Sequence, residues 1–353
     1  MKKSLIALAV LAASGAAMAQ STVTLYGLAD VWVGSSKSDG VSNNVLQSGG
    51  FATSRIGFKG TEDLGGGLKA NFQIETSVAM DAPSRSSLGD RQAWVGLSGG
   101  FGEVQLGRVW TPYDDTRALI NDTFNANVAS SFNVWEGYID RTSNGVRYNT
   151  PSFGGLTGSV AYAFGEDKTA ATKASNLTSF SLNYANGPIA AGLAHQIEKD
   201  TNAGVPVAPA TGVGIFSDAS SLASVLGAQV SKRTYTLING SYDLGVAKLL
   251  AGYNTVKATS TAVAGNAKAN EFNIGAEVPF GSALALGVGY SESQVKLNGV
   301  DQNETTGYSA ALKYALSKRT FTYVGLTRTE EDNSAGVLQN KSTNYFVGVQ
   351  HAF

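Results

Sequence analysis

The chain holds no cysteine, only seven prolines and only two histidines in 353 residues. An exported chain without thiols has no disulfide framework, no thiol chemistry and no cysteine-based zinc or iron–sulfur site, so its stability must come from hydrogen-bonded sheet or bulk core. Charge is scarce as well, at 15% of residues, yet 43% are hydrophobic, which does not suit a disordered chain. Beyond residue 20 no segment approaches eighteen consecutive apolar residues, and a transmembrane helix is excluded on that ground. Membrane residence is then open only to a closed barrel. Glycine, by contrast, is abundant at 42 residues. With proline rare, an all-β chain is the expectation.

The N-terminus sets the compartment. Met1-Lys-Lys-Ser4 is basic, residues 5–13 are apolar, and Ala17-Met-Ala19 before Gln20 has the small-x-small form of a signal-peptidase site. We therefore expect a signal peptide at 1–19 and a barrel at 20–353. Loss of Lys2 and Lys3 leaves 24 basic and 27 acidic residues, and 24 − 27 = −3. That balance does not point to nucleic acid as a partner.

Strand periodicity is plain in several places. Leu68, Ala70, Phe72 and Ile74 alternate with Lys69, Asn71, Gln73 and Glu75, the period of two expected when one face meets an apolar phase. It returns at Phe272, Ile274, Ala276 and Val278, and again at Tyr308, Ala310, Leu312 and Tyr314. A soluble sandwich would also alternate, so the connections must decide. Seven short turns, among them 63–67, 98–102 and 151–155, interleave with eight long polar stretches at about 34–50, 80–89, 111–142, 165–176, 198–231, 258–267, 296–304 and 330–341. Short turns on one side and long loops on the other follow the outer-membrane rule. Fifteen connections make sixteen strands. Aromatics just before the short turns, at Tyr148, Tyr184, Tyr242 and Tyr314, and finally at Phe353, suit an interfacial girdle.

Residues 111–142 stand apart, because they are too long for an idle connection and carry no strand alternation. Trp110, Tyr113, Phe124, Phe132, Trp135 and Tyr138 lie on or beside this stretch, which argues for packing. We expect it to fold into the barrel lumen and to present Asp114, Asp115, Asp122, Glu136 and Asp140 against only Arg117 and Arg141.

Several segments carry a resemblance to a known family. Thr22-Val-Thr-Leu-Tyr-Gly27, Ser54-Arg-Ile-Gly-Phe-Lys-Gly-Thr-Glu-Asp-Leu-Gly-Gly-Gly-Leu-Lys-Ala70, Arg91-Gln-Ala-Trp-Val-Gly-Leu97, Phe101-Gly-Glu-Val-Gln-Leu-Gly-Arg108, Val146-Arg-Tyr148, Leu316-Ser-Lys-Arg-Thr320 and His351-Ala-Phe353 resemble the general diffusion porins of the β-proteobacterial and neisserial type. The resemblance spans the mature chain, while the long loops match little. It implies a sixteen-stranded antiparallel transmembrane β-barrel with an inward-folded third extracellular loop. It also implies a homotrimer in the outer membrane of a Gram-negative cell that meets lipid, lipopolysaccharide and the barrel assembly machinery, with Phe353 as the assembly signal. Small hydrophilic solutes and ions would diffuse through it passively. No cofactor or metal is implied.

Alternation places Arg55 and Lys59 on the lumenal face, since Ile56 and Phe58 take the other, and Arg147 likewise between Val146 and Tyr148. The strand after Arg91 reads ambiguously. The resemblance implies a ladder of arginines facing the third loop, and Arg55, Arg91 and Arg147 match its positions; Arg108 and Arg141 are further candidates. Guanidinium suits the task because it stays protonated and offers a fixed fork of donors to carboxylate or phosphate. The expected pore leans towards anions, although the loop's two basic and five acidic residues oppose the lean.

Two rival classes fit the sequence less well. A barrel enzyme would need an oriented base, and the only histidines are His195, on an apolar face, and His351, beside the terminal signal. The glycine clusters are not phosphate loops, since no Lys-Ser/Thr pair or helix follows them. A substrate-specific channel or adhesin on the same barrel is the alternative reading, and residues 198–231, poor in charge and aromatics, give it little support.

Overall fold

The structure is a computed structural model that describes residues 22–83, 86–121, 123–170, 173–199, 221–226, 230–260 and 264–353. The expected signal peptide, Asp122 and most of the 198–231 stretch lie outside the described residues.

Seventeen strand segments form one sheet: β1 (Thr22–Ser38), β2 (Val41–Ser48), β3 (Arg55–Gly65), β4 (Leu68–Ser77), β5 (Gln92–Gly99), β6 (Gly102–Trp110), β7 (Arg141–Asn149), β8 (Leu156–Phe164), β9 (Asn176–Asn186), β10 (Ile189–Lys199), β11 (Lys232–Asp243), β12 (Lys248–Thr259), β13 (Asn266–Phe280), β14 (Leu284–Leu297), β15 (Val300–Ala315), β16 (Thr320–Asn333) and β17 (Leu338–Ala352). Consecutive segments from β3 onward pair antiparallel, and β1 closes the ring against β17, with Leu28 opposite Ala352 and Ser38 opposite Ser342. On its other side β1 pairs with β2 along its upper half and with β3 along its lower half. β2 and β3 are therefore two halves of one stave, and the barrel has sixteen.

The break in that stave has a cause in Asp30. Its buried carboxylate accepts from the backbone N–H groups of Gly50, Phe51 and Ala52 at 2.9–3.0 Å, from the Tyr323 hydroxyl, and from Gln350 Nε2 at 2.9 Å. Three backbone donors that leave the ladder at the bend are thus satisfied by one side chain.

One face of the staves is apolar and open to the surroundings, with Val23, Leu25, Phe58, Val95, Leu97, Leu106, Phe180, Leu182 and Ile238 among its exposed side chains. A water-facing protein rarely exposes so broad an apolar surface, while a lipid-facing barrel requires it. The opposite face carries Asn71, Gln73, Glu75, Ser179, Ser181, Asn239 and Asn273, which lie on β4, β9, β11 and β13. The sheet closure and the alternation together make a transmembrane barrel.

Several stretches expected as long loops are strands instead. β1 runs to Ser38, turns through Asp39 and Gly40 at φ 48° and 87°, and returns as β2. Asn298 and Gly299, at φ 51° and 88°, do the same between β14 and β15. Asp-Gly and Asn-Gly are the dipeptides that tolerate both positive φ values of a type I′ hairpin. The alternation that marks a strand fades here because these extensions rise beyond the apolar phase and have two wet faces.

Residues 111–140 are ordered by sequence-local signals. Thr111 Oγ1 accepts the Asp114 N–H at 3.3 Å and Pro112 takes the first turn of a short helix, α1 (Pro112–Arg117), a sound N-terminus. The segment then lies along the polar face of β9 to β17. Tyr113 N donates to Ser179 Oγ at 3.1 Å, Asn239 Nδ2 to the Thr116 carbonyl at 2.6 Å, Asn273 Nδ2 to the Ile120 carbonyl at 3.3 Å, and Phe124 N to Glu277 Oε1 at 2.9 Å. At its far end Val128 N donates to the Gly50 carbonyl at 2.9 Å. It returns through Ser131 on Ser291, Glu136 N on Glu271 and Ile139 N on Glu198 Oε1 at 2.8 Å.

A small core forms beneath it. Tyr113, Ile120, Phe132 and Trp135 pack on Ala194, Tyr235, Leu237 and Leu250, and each such large side chain contributes roughly 1.5–3 kcal/mol on burial. Glycines admit the segment: a Cβ on Gly252 would meet Ile120 Cδ1 at 2.2 Å, on Gly287 the Thr123 Cα at 2.7 Å, and on Gly307 the Ser131 carbonyl oxygen at 2.4 Å.

Candidate functional site

The basic residues named from sequence gather on β3 to β7, the arc of wall that lies across from the β9–β17 contacts of residues 111–140. Arg55 begins β3, Arg91 immediately precedes β5, Arg108 lies near the end of β6, and Arg141 and Arg147 bound most of β7. Strand register puts several of them at one level. Arg55 pairs with Ser77, Ala93 with Arg108, and Trp110 with Arg141. Arg147 sits six residues further along, opposite Gln105 and towards the short-turn end.

Arg91 resolves the ambiguity of its strand. Its N–H donates to the Glu75 carbonyl at 3.1 Å from a turn at Gly89 with φ 78°, so its side chain does not follow the alternation of β5. Its Nε instead meets Glu75 Oε1 at 2.7 Å.

The guanidiniums are joined into a chain. Glu75, 5% exposed, also lies 3.6 Å from Arg55 Nε and accepts the Tyr26 hydroxyl at 3.0 Å, which itself accepts Gln73 Nε2 at 2.6 Å. Arg91 then reaches the Trp110 ring, with Cζ 5.8 Å from its centroid, and Arg141 stacks on the same ring at 3.7 Å. Arg141 Nη1 meets Asp140 Oδ2 at 3.1 Å. Arg108 donates to the Asp90 carbonyl at 2.6 Å and to Ser143 Oγ at 2.9 Å. Lys59 is exposed, its Nζ 5.4 Å from the Tyr26 ring.

Arg147 is bound on three sides, by Asn149 Oδ1 at 2.8 Å, the Trp110 carbonyl at 2.9 Å and the Asp115 carboxylate. The acidic residues thus split. Asp115 and Asp140 pair directly with arginines, Asp114 accepts the Tyr138 hydroxyl, and Glu136 is buried beside Glu271. Asp122 lies outside the described residues. Burial, reinforced by the neighbouring Asp140 and Asp115 carboxylates and opposed by the Tyr138 hydrogen bond, pushes Asp114 up to about 7.

Glu75 and Trp110 are the site residues that sequence reading missed. Glu75 was visible on the polar face of its strand, and Trp110 as an aromatic beside the long segment. Neither pattern says which arginine the side chain will meet.

Away from this wall, Phe353 closes the barrel seam: it exchanges backbone hydrogen bonds with Gly27 at 3.0 and 3.2 Å, and its ring comes within 2.6 Å of where a Gly27 Cβ would stand. His195 Nδ1 lies 2.9 Å from Thr236 Oγ1, and His351 Nδ1 lies 2.8 Å from Thr320 Oγ1.

A sixteen-stave barrel with an apolar outside and a polar wall lined by guanidiniums is a membrane channel. Residues 5–334 match the Gram-negative porin family, and the chain belongs to that family. Outer membrane porin protein 32 of Delftia acidovorans is 35% identical over the full length of both chains. Major outer membrane protein P.IB of Neisseria meningitidis serogroup B is 38% identical over 201 residues, 53% of this chain and 56% of the relative. Among solved structures, an anion-selective porin from Comamonas acidovorans superposes with a TM-score of 0.76 at 29% identity, covering 95% of this chain and all of that one. The protein is an outer-membrane porin that crosses the bilayer many times and lets small solutes diffuse passively, a channel rather than an enzyme.

Proposed function

We propose that this porin prefers anions, and that residues 111–140 fold into its lumen and narrow it. The carrying observation is the composition of the β3–β7 wall. Six cations stand there, Arg55, Lys59, Arg91, Arg108, Arg141 and Arg147, and among the described residues only Glu75, Asp115 and Asp140 form ion pairs with them. Arg55 shares its carboxylate with Arg91, and Arg108 is held by neutral oxygens. An anion that sheds water on this wall meets surplus guanidinium, attractive yet too distributed to trap it. The name of the Comamonas structure describes that relative as anion-selective, which supports the same reading here. We further propose that the exported chain loses residues 1–19, that Phe353 serves assembly by the barrel machinery, and that three copies associate amid lipid and lipopolysaccharide, as the family resemblance implies.

Bilayer reversal potentials in a salt gradient test the preference. Arg55→Ser and Arg91→Ser should each move the pore towards cations, more strongly at low salt, where screening is weaker. Retention of the parent potential by both variants at low salt would end the anion reading. Liposome swelling with neutral sugars of graded size separates a general pore, which sorts by size, from a specific one, which sorts by identity.

A further inference from the structure

We propose that Trp110 is the positioning residue of the basic wall: its indole holds the Arg141 and Arg91 guanidiniums as a neutral spacer, and thereby sets how strongly the pore prefers anions. The inference rests on the anion reading above and deepens it. Three of the wall's arginines converge on this one residue. Arg141 Cζ lies 3.7 Å from the ring centroid, Arg91 Cζ lies 5.8 Å from it, and Arg147 Nη1 donates to the Trp110 carbonyl at 2.9 Å.

Bringing guanidiniums together requires something to offset their repulsion. Between Arg55 and Arg91 that role falls to Glu75, which cancels one of the two charges. Between Arg91 and Arg141 it falls to an indole, whose π-face attracts a cation without cancelling its charge. The ring itself therefore cancels neither charge, and the only carboxylates that ion-pair with the two guanidiniums among the described residues are Glu75, which Arg91 shares with Arg55, and Asp140 on Arg141. Arg141 depends on the ring for much of its placement, since its Nε is buried with no hydrogen-bond partner among the described residues and Asp140 meets only Nη1. Arginine suits such stacking because its guanidinium is planar and weakly hydrated. Register brings the pieces together, since Trp110 ends β6 directly opposite Arg141 at the start of β7.

The test compares the full-length wild-type porin, W110F, W110Q, R141Q and W110Q/R141Q in planar bilayers, reading the reversal potential in a KCl gradient at about 0.1 M and about 1 M. Heat-modifiable mobility and conductance at high salt report whether each barrel is assembled and equally wide. W110F keeps a π-face and should stay near the wild-type ratio. W110Q should shift the anion-to-cation permeability ratio towards cations by about twofold or more at low salt, with little change in high-salt conductance. In the R141Q background, W110Q should add a smaller shift than it makes alone, because the two residues act as a unit. A W110Q pore with the wild-type ratio overturns the proposal, as does full additivity of W110Q and R141Q. A wild-type pore with no anion preference instead overturns the reading on which the proposal rests, and the two failures are told apart in the first measurement. Should W110Q fail to assemble, Arg141→Lys decides: loss of preference at unchanged formal charge supports a stacked guanidinium, and an unchanged ratio overturns it.

Discussion

Glu75→Gln should make the pore more anion-selective, the opposite of the arginine replacements on either side of it. Glu75 sits 2.7 Å from Arg91 Nε and 3.6 Å from Arg55 Nε, so an isosteric amide uncovers one positive charge while leaving an acceptor for the Tyr26 hydroxyl. At about 5 Å from a permeating monovalent ion, one unit charge is worth roughly 0.8 kcal/mol in water. A Debye length of about 10 Å at 0.1 M reduces that to roughly 0.5 kcal/mol, and one of about 3 Å at 1 M to roughly 0.2 kcal/mol. The charge attracts anions and repels cations by the same amount, so the permeability ratio should rise by about fivefold at 0.1 M and by less than about twofold at 1 M. Removing the partner of a buried cation costs about 3–5 kcal/mol, and Arg91 is 4% exposed. Heat-modifiable mobility must therefore confirm assembly before the bilayer is read. Reversal potentials for E75Q that match the parent at 0.1 M, or that move towards cations, would refute the view that Glu75 moderates the arginine wall.

Two further outcomes follow from residues 111–140. Because Asp114 is pushed up to about 7, it is charged above that pH and neutral below it; anion preference should rise as pH falls through about 7, and D114N should hold the low-pH ratio at every pH. Gly307→Val and Gly287→Val would each place a side chain against the segment's backbone at Ser131 and Thr123, pushing it from the wall, so single-channel conductance and the solute size limit should fall. An assembled G307V pore with unchanged conductance would mean that the segment does not narrow the channel.

Strand count and lipid-facing alternation were legible because a bilayer imposes a period of two on every stave it touches. Legibility failed where that constraint lapses. The extension through Asp39-Gly40 to Ser48 reads as a loop because both of its faces are wet, although the Asp-Gly pair announces a hairpin. Thr111-Pro112 with Asp114 and Asp115 likewise carries a helix start that periodicity alone passes over. Arg55 and Arg147 were placed by alternation with apolar neighbours, but Arg91 precedes its strand and takes its direction from Glu75. Pairings such as Arg147 with Asp115 join residues 32 positions apart in the chain. Side-chain reach across a barrel depends on register, which one sequence does not print.

The barrel divides its labour between two arcs, and the division explains why an acidic segment can coexist with a basic wall. On β9 to β17 the polar face is fitted to the segment: glycines at 252, 287 and 307 let its main chain approach, Asn239 and Asn273 take its carbonyls, Glu198, Glu271 and Glu277 take its N–H groups, and Tyr113, Ile120, Phe132 and Trp135 are buried in a small core. Fixing the segment there fixes its carboxylates too. Asp115 and Asp140 end in ion pairs with Arg147 and Arg141 rather than as free carboxylates. The segment's formal charge is then a poor guide to the field an ion meets, because Asp115 and Asp140 are paired with arginines and the charge of Asp114 depends on pH. What lacks a carboxylate of its own lies on β3 to β6, at Arg55, Lys59 and Arg108, and the proposed anion preference draws on these together with the Arg91 and Arg141 guanidiniums held at Trp110.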